Sequence, residues 1–248
     1  MMKKSLQYLS RVDIEGIAQR VVGAYRKLPA ARKEPDGVVR PMLLIHDLLG
    51  LSVEYHTLSL NGSVLGLTAC GEVWVMVYDN PAHPEYCHLD GKTLLVDKYL
   101  AEEGANQGRY HFTLAHEACH QIYKMLFPKA YMDSIAERRI RYCTAYRVAG
   151  RGDWEEWRTD ALTSAVLMPP DMVRDNMLRF GLGDKLRLLN RVFAPEEYAH
   201  FCEMAGYMGV SKQALAIRLK QLGLLGRDNL QDSYALVNVF PDDGEVPG

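Results

Sequence analysis

Hydrophobic residues recur along the chain with two different periods, and these periods predict where helices and strands lie. Spacings of three and four residues, which place apolar side chains on one face of a helix, occur in the first and the last parts of the chain. Between them, short segments rich in β-branched and aromatic residues are separated by Gly, Asn and Pro, as is typical of strands and turns. The pattern therefore predicts an α+β fold in which a helix and a small antiparallel sheet are followed mostly by helices.

The predicted boundaries follow from this pattern. The helices are expected over residues 11–28, 42–49, 107–125, 131–147, 153–168, 170–180, 195–206 and 211–222. The strands are expected over residues 51–58, 64–69, 72–78 and 93–96, with an exposed loop over 81–91. We expect one large domain over residues 1–183, a helical subdomain that resembles a helix-turn-helix over 184–240, and a frayed tail over 241–248.

Composition narrows the class of protein. Hydrophobic residues make up 48% and charged residues 24% of the 248 residues, which is ordinary for a globular protein and excludes general disorder. The formal net charge of −2 argues against nucleic-acid binding over the whole surface. The five cysteines contain no Cys-x-x-Cys pair, so neither a disulfide framework nor an all-thiolate zinc site is expected. With no apolar run of signal-peptide or membrane-spanning length, we expect a cytoplasmic protein that does not enter a membrane.

The residues that carry chemistry lie in the predicted helix 107–125. His116 and His120 are four apart, so both imidazoles can reach one metal ion from the same face of the helix. Zinc accepts nitrogen ligands and keeps one position open in catalytic sites, which makes Glu117 the predicted general base. The alternative is an exposed helix with two unrelated histidines, against which the apolar residues of this segment indicate a buried face.

A catalytic zinc site needs a third protein ligand, and the predicted helix 153–168 offers acidic residues for it. Glu156 and Asp160 are one turn apart, so Glu156 could bind the metal while Asp160 accepts a hydrogen bond from a ligand imidazole. Glu155 is the second choice for the ligand. The alternative is that both glutamates are exposed near a helix N-terminus, where acidic residues are favourable.

Other polar residues were weighed for the same chemistry. We expect the remaining histidines to be surface or packed residues, namely His46, His56, His83, His88, His111 and His200. Cys119 is expected to be a buried thiol. Tyr123, Tyr142 and Tyr146 are candidates to stabilise an oxyanion, and the sequence does not choose among them.

Two stretches resemble the ImmA/IrrE family of metallopeptidases. They are RYHFTLAHEACH at 109–120 and EWRTDALTSAVLMP at 156–169, and a third similarity covers 195–225. Cys119, Thr159 and Leu162 depart from the family pattern, but none of them is a ligand. The resemblance implies a zincin-like fold with Zn²⁺ held by His116, His120 and Glu156. It also implies cleavage of a cytoplasmic helix-turn-helix repressor, which derepresses genes of a mobile element, a phage or a stress response.

Residues 195–223 predict two helices around a glycine-containing turn, which raises the question of DNA binding. Polar residues on the second helix could contact phosphates or bases, namely Lys212, Gln213, Arg218, Lys220 and Gln221. The local excess of positive charge is small, and much of the same helix is apolar, so we expect it to pack on the catalytic domain or to hold the substrate. The alternative function is a DNA-binding regulator that retains a structural metal site.

Overall fold

The computed structural model describes residues 9–69, 71–129, 140–144 and 154–228, and its fold is a mixture of helices and small sheets. The helices, numbered α1 to α7, are Arg11–Tyr25, Pro41–Leu43, Gln107–Leu126, Trp154–Leu167, Pro170–Arg179, Pro195–Met208 and Lys212–Gln221. The strands, numbered β1 to β8, are Ser52–His56, Val64–Ala69, Val73–Val77, Glu85–Leu89, Thr93–Asp97, Ile140–Thr144, Leu186–Leu189 and Leu225–Asp228. The prediction of an α+β fold is confirmed at this level.

The main sheet has four strands in the order β1-β5-β2-β6. Strand β2 runs antiparallel to β5, as predicted, and also to β6, which was predicted to be helical, whereas β1 pairs with β5 in the parallel direction. The prediction of an antiparallel sheet is therefore wrong for β1. The reason is that residues between β1 and β5 form three other strands, so the chain crosses over before it returns beside β1.

Apolar residues alternate along β5 and divide the core between the two faces of this sheet. Leu94 and Val96 pack with α1, α3 and α4 on one face. Leu95 points to the other face, where the hairpin of β3 and β4 covers the sheet. This hairpin includes residues that the sequence assigned to a loop over 81–91, so that prediction is wrong for β4.

Two other predictions also failed where strands are short. The helix predicted over 131–147 is wrong at 140–144, where the residues IRYCT form the edge strand β6. Alternating apolar and polar residues favour a strand there, whereas the rest of that range lies outside the described residues. Strands β7 and β8, each of four residues, were not predicted, because so few residues give no measurable period.

The C-terminal part is a helix, a turn and a second helix. Helix α6 ends at Gly209, whose φ of 67° is the left-handed conformation that ends many helices, and Ser211 caps α7 by accepting a hydrogen bond from the Ala214 N–H. Strand β7 precedes the two helices in the chain and β8 follows them, and these strands pair in parallel. Residues of this part share one apolar core with Met168, Val173 and other residues of the preceding helices.

Candidate metal centre

Helix α3 is the central element of the site and is buried on all sides over most of its length. It begins after Asn106, whose side chain accepts a hydrogen bond from the Arg109 N–H, and it ends just before Pro128. Every residue from 113 to 123 is buried, including His116, Glu117 and His120. Burial of so many polar side chains is unfavourable unless each has a partner, so the partners of these residues define the site.

Contacts with strand β2 fix the position of α3 on the sheet. The Gln121 amide donates hydrogen bonds to the Thr68 hydroxyl and to the carbonyl oxygen of Ala69. One helical turn earlier, Gly66 lies against Glu117 and Thr113 so closely that an added Cβ would be 2.7 Å from Glu117 Oε1. The absence of a side chain at Gly66 therefore makes the space in which the Glu117 carboxylate lies.

Helix α4 packs against α3 and brings the predicted acidic residues to the histidines. Glu156 Oε2 is 3.0 Å from His116 Nε2, and Glu156 Oε1 is 3.4 Å from His120 Nε2. The two Nε2 atoms are 3.1 Å apart. These three residues thus present one group of potential ligand atoms, all within 4.8 Å of one another. Glu155, the second choice from the sequence, does not belong to this group.

The distances fit a four-coordinate metal. Zinc–nitrogen and zinc–oxygen bonds of ~2.0–2.1 Å at tetrahedral angles separate neighbouring ligand atoms by about 3.3 Å. The three measured separations of 3.1, 3.0 and 3.4 Å are all close to this value. The His116 and His120 side chains are almost fully buried, whereas the Glu156 side chain is 30% exposed, so the group is open to solvent on the glutamate side.

The neighbours of the two imidazoles indicate which nitrogen carries the proton. His116 Nδ1 lies 3.1 Å from Asp160 Oδ1, so it donates to this carboxylate and leaves the Nε2 lone pair directed at the group. His120 Nδ1 lies 3.5 Å from Thr159 Oγ1, which itself donates to the Glu155 carbonyl oxygen and so can only accept from the imidazole. Two lone pairs and a carboxylate that converge in this way repel one another unless a cation lies between them.

Two residues that the sequence left open have structural roles. Cys119 is fully buried, and burial raises the pKa of its thiol to about 12, which agrees with the prediction of an unreactive buried thiol. The Tyr123 hydroxyl is buried and donates a hydrogen bond to the Arg158 carbonyl oxygen at 3.1 Å, so it holds α3 to α4. Of the other two tyrosine candidates, the Tyr142 side chain and all of Tyr146 lie outside the described residues.

The histidine before the motif has a different role. His111 is predicted to be a surface or packed residue, and its Nδ1 lies 2.9 Å from the Gly209 carbonyl oxygen in the turn between α6 and α7. Burial lowers the pKa of His111, the Gly209 carbonyl raises it by less, and the nearby Arg40 lowers it further. The neutral imidazole therefore joins α3 to the C-terminal helices.

One dismissed histidine does lie in a cluster. His56 on β1, together with Glu54 and Cys87, forms a second group of potential ligand atoms in the described part of the chain. Sequence reasoning missed this group, because Cys87 is on the strand that was assigned to a loop. The only local signal is the two-residue spacing of Glu54 and His56, which places both on one face of a strand.

Arg218, proposed from the sequence as a possible DNA contact, is buried instead. It is 2% exposed, its Nε donates to the Met168 carbonyl oxygen at 2.9 Å, and its guanidinium forms an ion pair with Glu15 on α1. A buried guanidinium that is paired in this way cannot contact a phosphate. Arg218 therefore fastens α7 to the first helix and to the end of α4.

A large cleft lies beside this metal-ligand group. Its volume is about 1070 Å³, and it extends from Asp160 and Thr113 to the exposed side of α7. Pockets for small molecules are ~300–1,000 Å³, so the cleft is at the upper end of this range and has room for a segment of polypeptide. Four arginines line it: Arg218, which is paired with Glu15, and Arg11, Arg109 and Arg174 from three other elements. Ile217 is among its apolar residues.

Comparison of the chain with protein-family profiles and with curated protein sequences gives no match. In the described residues, no helix combines the length and the apolar character that crossing a membrane requires. The resemblance to ImmA/IrrE metallopeptidases therefore rests on the motifs of the sequence alone.

Proposed function

We propose that this protein is a zinc-dependent endopeptidase. The observation that carries the proposal is the convergence of His116, His120 and Glu156, with the buried Glu117 next to the first ligand in the chain. Two imidazoles and one carboxylate are a ligand set of catalytic zinc in peptidases, where a fourth position stays open for reactants. When bound, zinc supplies a positive charge that polarises a carbonyl group and lowers the pKa of water.

The residues of the chain have separable roles in this reaction. Glu117 is the general base: it takes a proton from the attacking water and passes it to the leaving amine. Its carboxylate is held against Gly66, so strand β2 sets its distance from the substrate. Asp160 positions His116 through the hydrogen bond to Nδ1 and favours the tautomer that leaves Nε2 as a ligand.

The substrate that we propose is a protein segment, for which a cleft of this size has room. Arg218 pairs with Glu15 in the lining of the cleft, and the other three arginines (Arg11, Arg109 and Arg174) outnumber the remaining acidic residue, Asp160, so a segment with acidic residues is favoured. The resemblance to ImmA/IrrE metallopeptidases supplies the more specific proposal, a cytoplasmic helix-turn-helix repressor. Its cleavage would derepress the genes that the repressor controls.

The alternative, a DNA-binding regulator with a structural metal site, is less well supported. Arg218, which was among the possible DNA contacts, holds α7 to α1 and α4. The cleft is lined by Ile217 and other residues of α7, so this helix contributes to the same cavity as Asp160. Both observations favour a role for the C-terminal helices in substrate binding.

The decisive experiment compares Glu117→Gln with the wild type. The substitution keeps the shape and removes the base, so zinc content should equal that of the wild type while peptide cleavage falls by at least ~10²-fold. Zinc content is measured on the purified protein, and cleavage on a fluorogenic library of extended peptides and on candidate repressors. Glu203→Gln, an exposed change on α6, is the matched control and should leave both quantities unchanged. Wild-type cleavage by Glu117→Gln would contradict the proposal.

A further inference from the structure

A second group of potential metal ligands lies at the edge of the main sheet, on the face opposite α3. Glu54 and His56 are two residues apart on β1 and point to the same side as Leu95, because β1 and β5 pair in register. The hairpin of β3 and β4 covers this side and brings Cys87 towards both residues. The three residues come from elements that are distant in the chain, so tertiary packing assembles the group.

The Cys87 thiol donates a long hydrogen bond to Glu54, whereas His56 and Glu54 are further apart than a hydrogen bond, and both separations suit a shared ion. His56 Nε2 is 3.6 Å from Glu54 Oε2, and Cys87 Sγ is 3.9 Å from the same oxygen. A hydrogen bond between a nitrogen and an oxygen spans ~2.7–3.2 Å, so His56 and Glu54 are too far apart for one. Ligands of a tetrahedral zinc ion with bonds of ~2.0–2.3 Å are about 3.3–3.6 Å apart, so small rotations of the side chains would complete the site.

His56 is held in the orientation that a metal ligand needs. Its Nδ1 lies 2.6 Å from Asp79 Oδ2, and the other oxygen of Asp79 accepts a hydrogen bond from the Thr57 N–H at 2.8 Å. The Lys98 ammonium group lies 3.5 Å from the same carboxylate and stabilises its negative charge. A carboxylate on one imidazole nitrogen fixes the tautomer, so the Nε2 lone pair faces Glu54 and Cys87. The same arrangement holds His116 through Asp160 in the candidate metal centre.

We propose that Glu54, His56 and Cys87 bind a second divalent transition-metal ion, with Asp79 as the residue that positions His56. A thiolate, an imidazole and a carboxylate together favour Zn²⁺ over Mg²⁺ or Ca²⁺, which prefer oxygen ligands. Glu54 is half exposed, so water can occupy the fourth position. This ion is distinct from the one held by His116, His120 and Glu156, with which the group shares no residue.

The bound ion joins two separate sheets. The hairpin of β3 and β4 and the four-stranded sheet have no ladder of hydrogen bonds between them in the described residues, and they contact through apolar side chains such as Leu67 and Val75. An ion that binds both β1 and β4 in the folded protein, but not in the unfolded chain, stabilises the folded protein. Zinc should therefore raise the melting temperature even when the first site has been removed.

The test uses cobalt as a spectroscopic probe, because Co²⁺ bound to a thiolate has an intense near-ultraviolet charge-transfer band and Co²⁺ bound only to nitrogen and oxygen does not. The metal-free full-length protein is titrated with Co²⁺ as wild type, His116→Ala and Cys87→Ser. The thiolate band should appear in the wild type and in His116→Ala, and it should be lost in Cys87→Ser. Cys202→Ser, which changes a half-buried cysteine on α6, is the matched control and should keep the band.

Two further measurements keep the proposal testable if Cys87→Ser misfolds. Asp79→Asn removes the negative charge from beside His56 and should weaken Co²⁺ binding at the thiolate site ~10–100-fold without removing the band. Wild-type protein dialysed against Zn²⁺ should contain about two ions per chain, and His116→Ala about one. A wild-type titration without a thiolate band, a band that persists in Cys87→Ser, or a His116→Ala protein without zinc would overturn the proposal.

Discussion

Replacement of Gly66 by alanine should separate the position of the general base from the binding of metal. A Cβ at residue 66 would lie 2.7 Å from Glu117 Oε1 and 2.7 Å from Thr113 Cγ2. Ordinary van der Waals contact begins at 3.4 Å, so these atoms must move apart by about 0.7 Å. The Glu117 side chain is the more flexible of the two, and we expect its carboxylate to be displaced from the space beside Gly66.

The expected effects on stability and on activity differ in size. Added methyl groups in a packed core cost about 1–3 kcal/mol, and the flexible Glu117 side chain favours the lower end of this range. The free energy of unfolding of an ordinary protein is ~5–15 kcal/mol, so even a loss of about 3 kcal/mol leaves about 95% or more of the molecules folded. A catalytic group misplaced by nearly ~1 Å can lower the rate ~10²-fold, or about 2.7 kcal/mol of activation free energy. Partial unfolding cannot explain a loss of this size.

The assay compares Gly66→Ala with the wild type in three measurements: melting temperature, zinc content and peptide cleavage. Gly23→Ala on α1 is the matched control, because an added Cβ there has no atom within 4 Å and the helix gains ~0.5–1 kcal/mol from the change. We expect Gly66→Ala to lose ~10²-fold in kcat with zinc retained, and Gly23→Ala to melt slightly higher with full activity. Normal kcat in Gly66→Ala would refute the idea that β2 sets the position of Glu117.

Three further predictions follow from other contacts. Glu156→Ala should weaken zinc binding strongly whereas Glu155→Ala should change it little, because only Glu156 lies with the ligand histidines; a zinc titration with the opposite order would show that α4 is oriented differently. Burial lowers the pKa of His111, so the stability that it adds is present above pH ~6.5, the pKa in the unfolded chain, and is lost as the pH falls below that value. The free energy of unfolding in urea should therefore decrease from pH 8 to pH 5, and this decrease should be smaller in His111→Gln. An equal decrease in both proteins would exclude His111 as its source. Ile217→Asp in the cleft should raise KM with little change in kcat. Leu178 is also an exposed apolar residue but does not line the cleft, so Leu178→Asp should change neither constant. Equal KM values in the two variants would argue against substrate binding at α7.

The parts of the site that the sequence predicts are those set by local geometry. The four-residue spacing of His116 and His120 places both imidazoles together in any α-helix, whatever surrounds it. The same spacing between Glu156 and Asp160 explains why both reach the histidines once α4 packs on α3. What the spacing could not give is the contact with Gly66, which depends on where β2 crosses α3 and therefore on the packing of the whole sheet.

The second ligand group shows why some chemistry stays hidden in a sequence. His56 is an isolated histidine on a half-exposed strand, and such residues are usually without function. Its partner Cys87 is 31 residues later on β4, in a segment with polar, Pro- and Asp-containing neighbours that favour a loop. These residues meet because two sheets pack face to face, and neither the period of a strand nor the spacing of residues encodes which strand of one sheet lies over which strand of the other. A search for metal sites by motif therefore finds ligands on one helix and misses ligands that only the packing of sheets brings together.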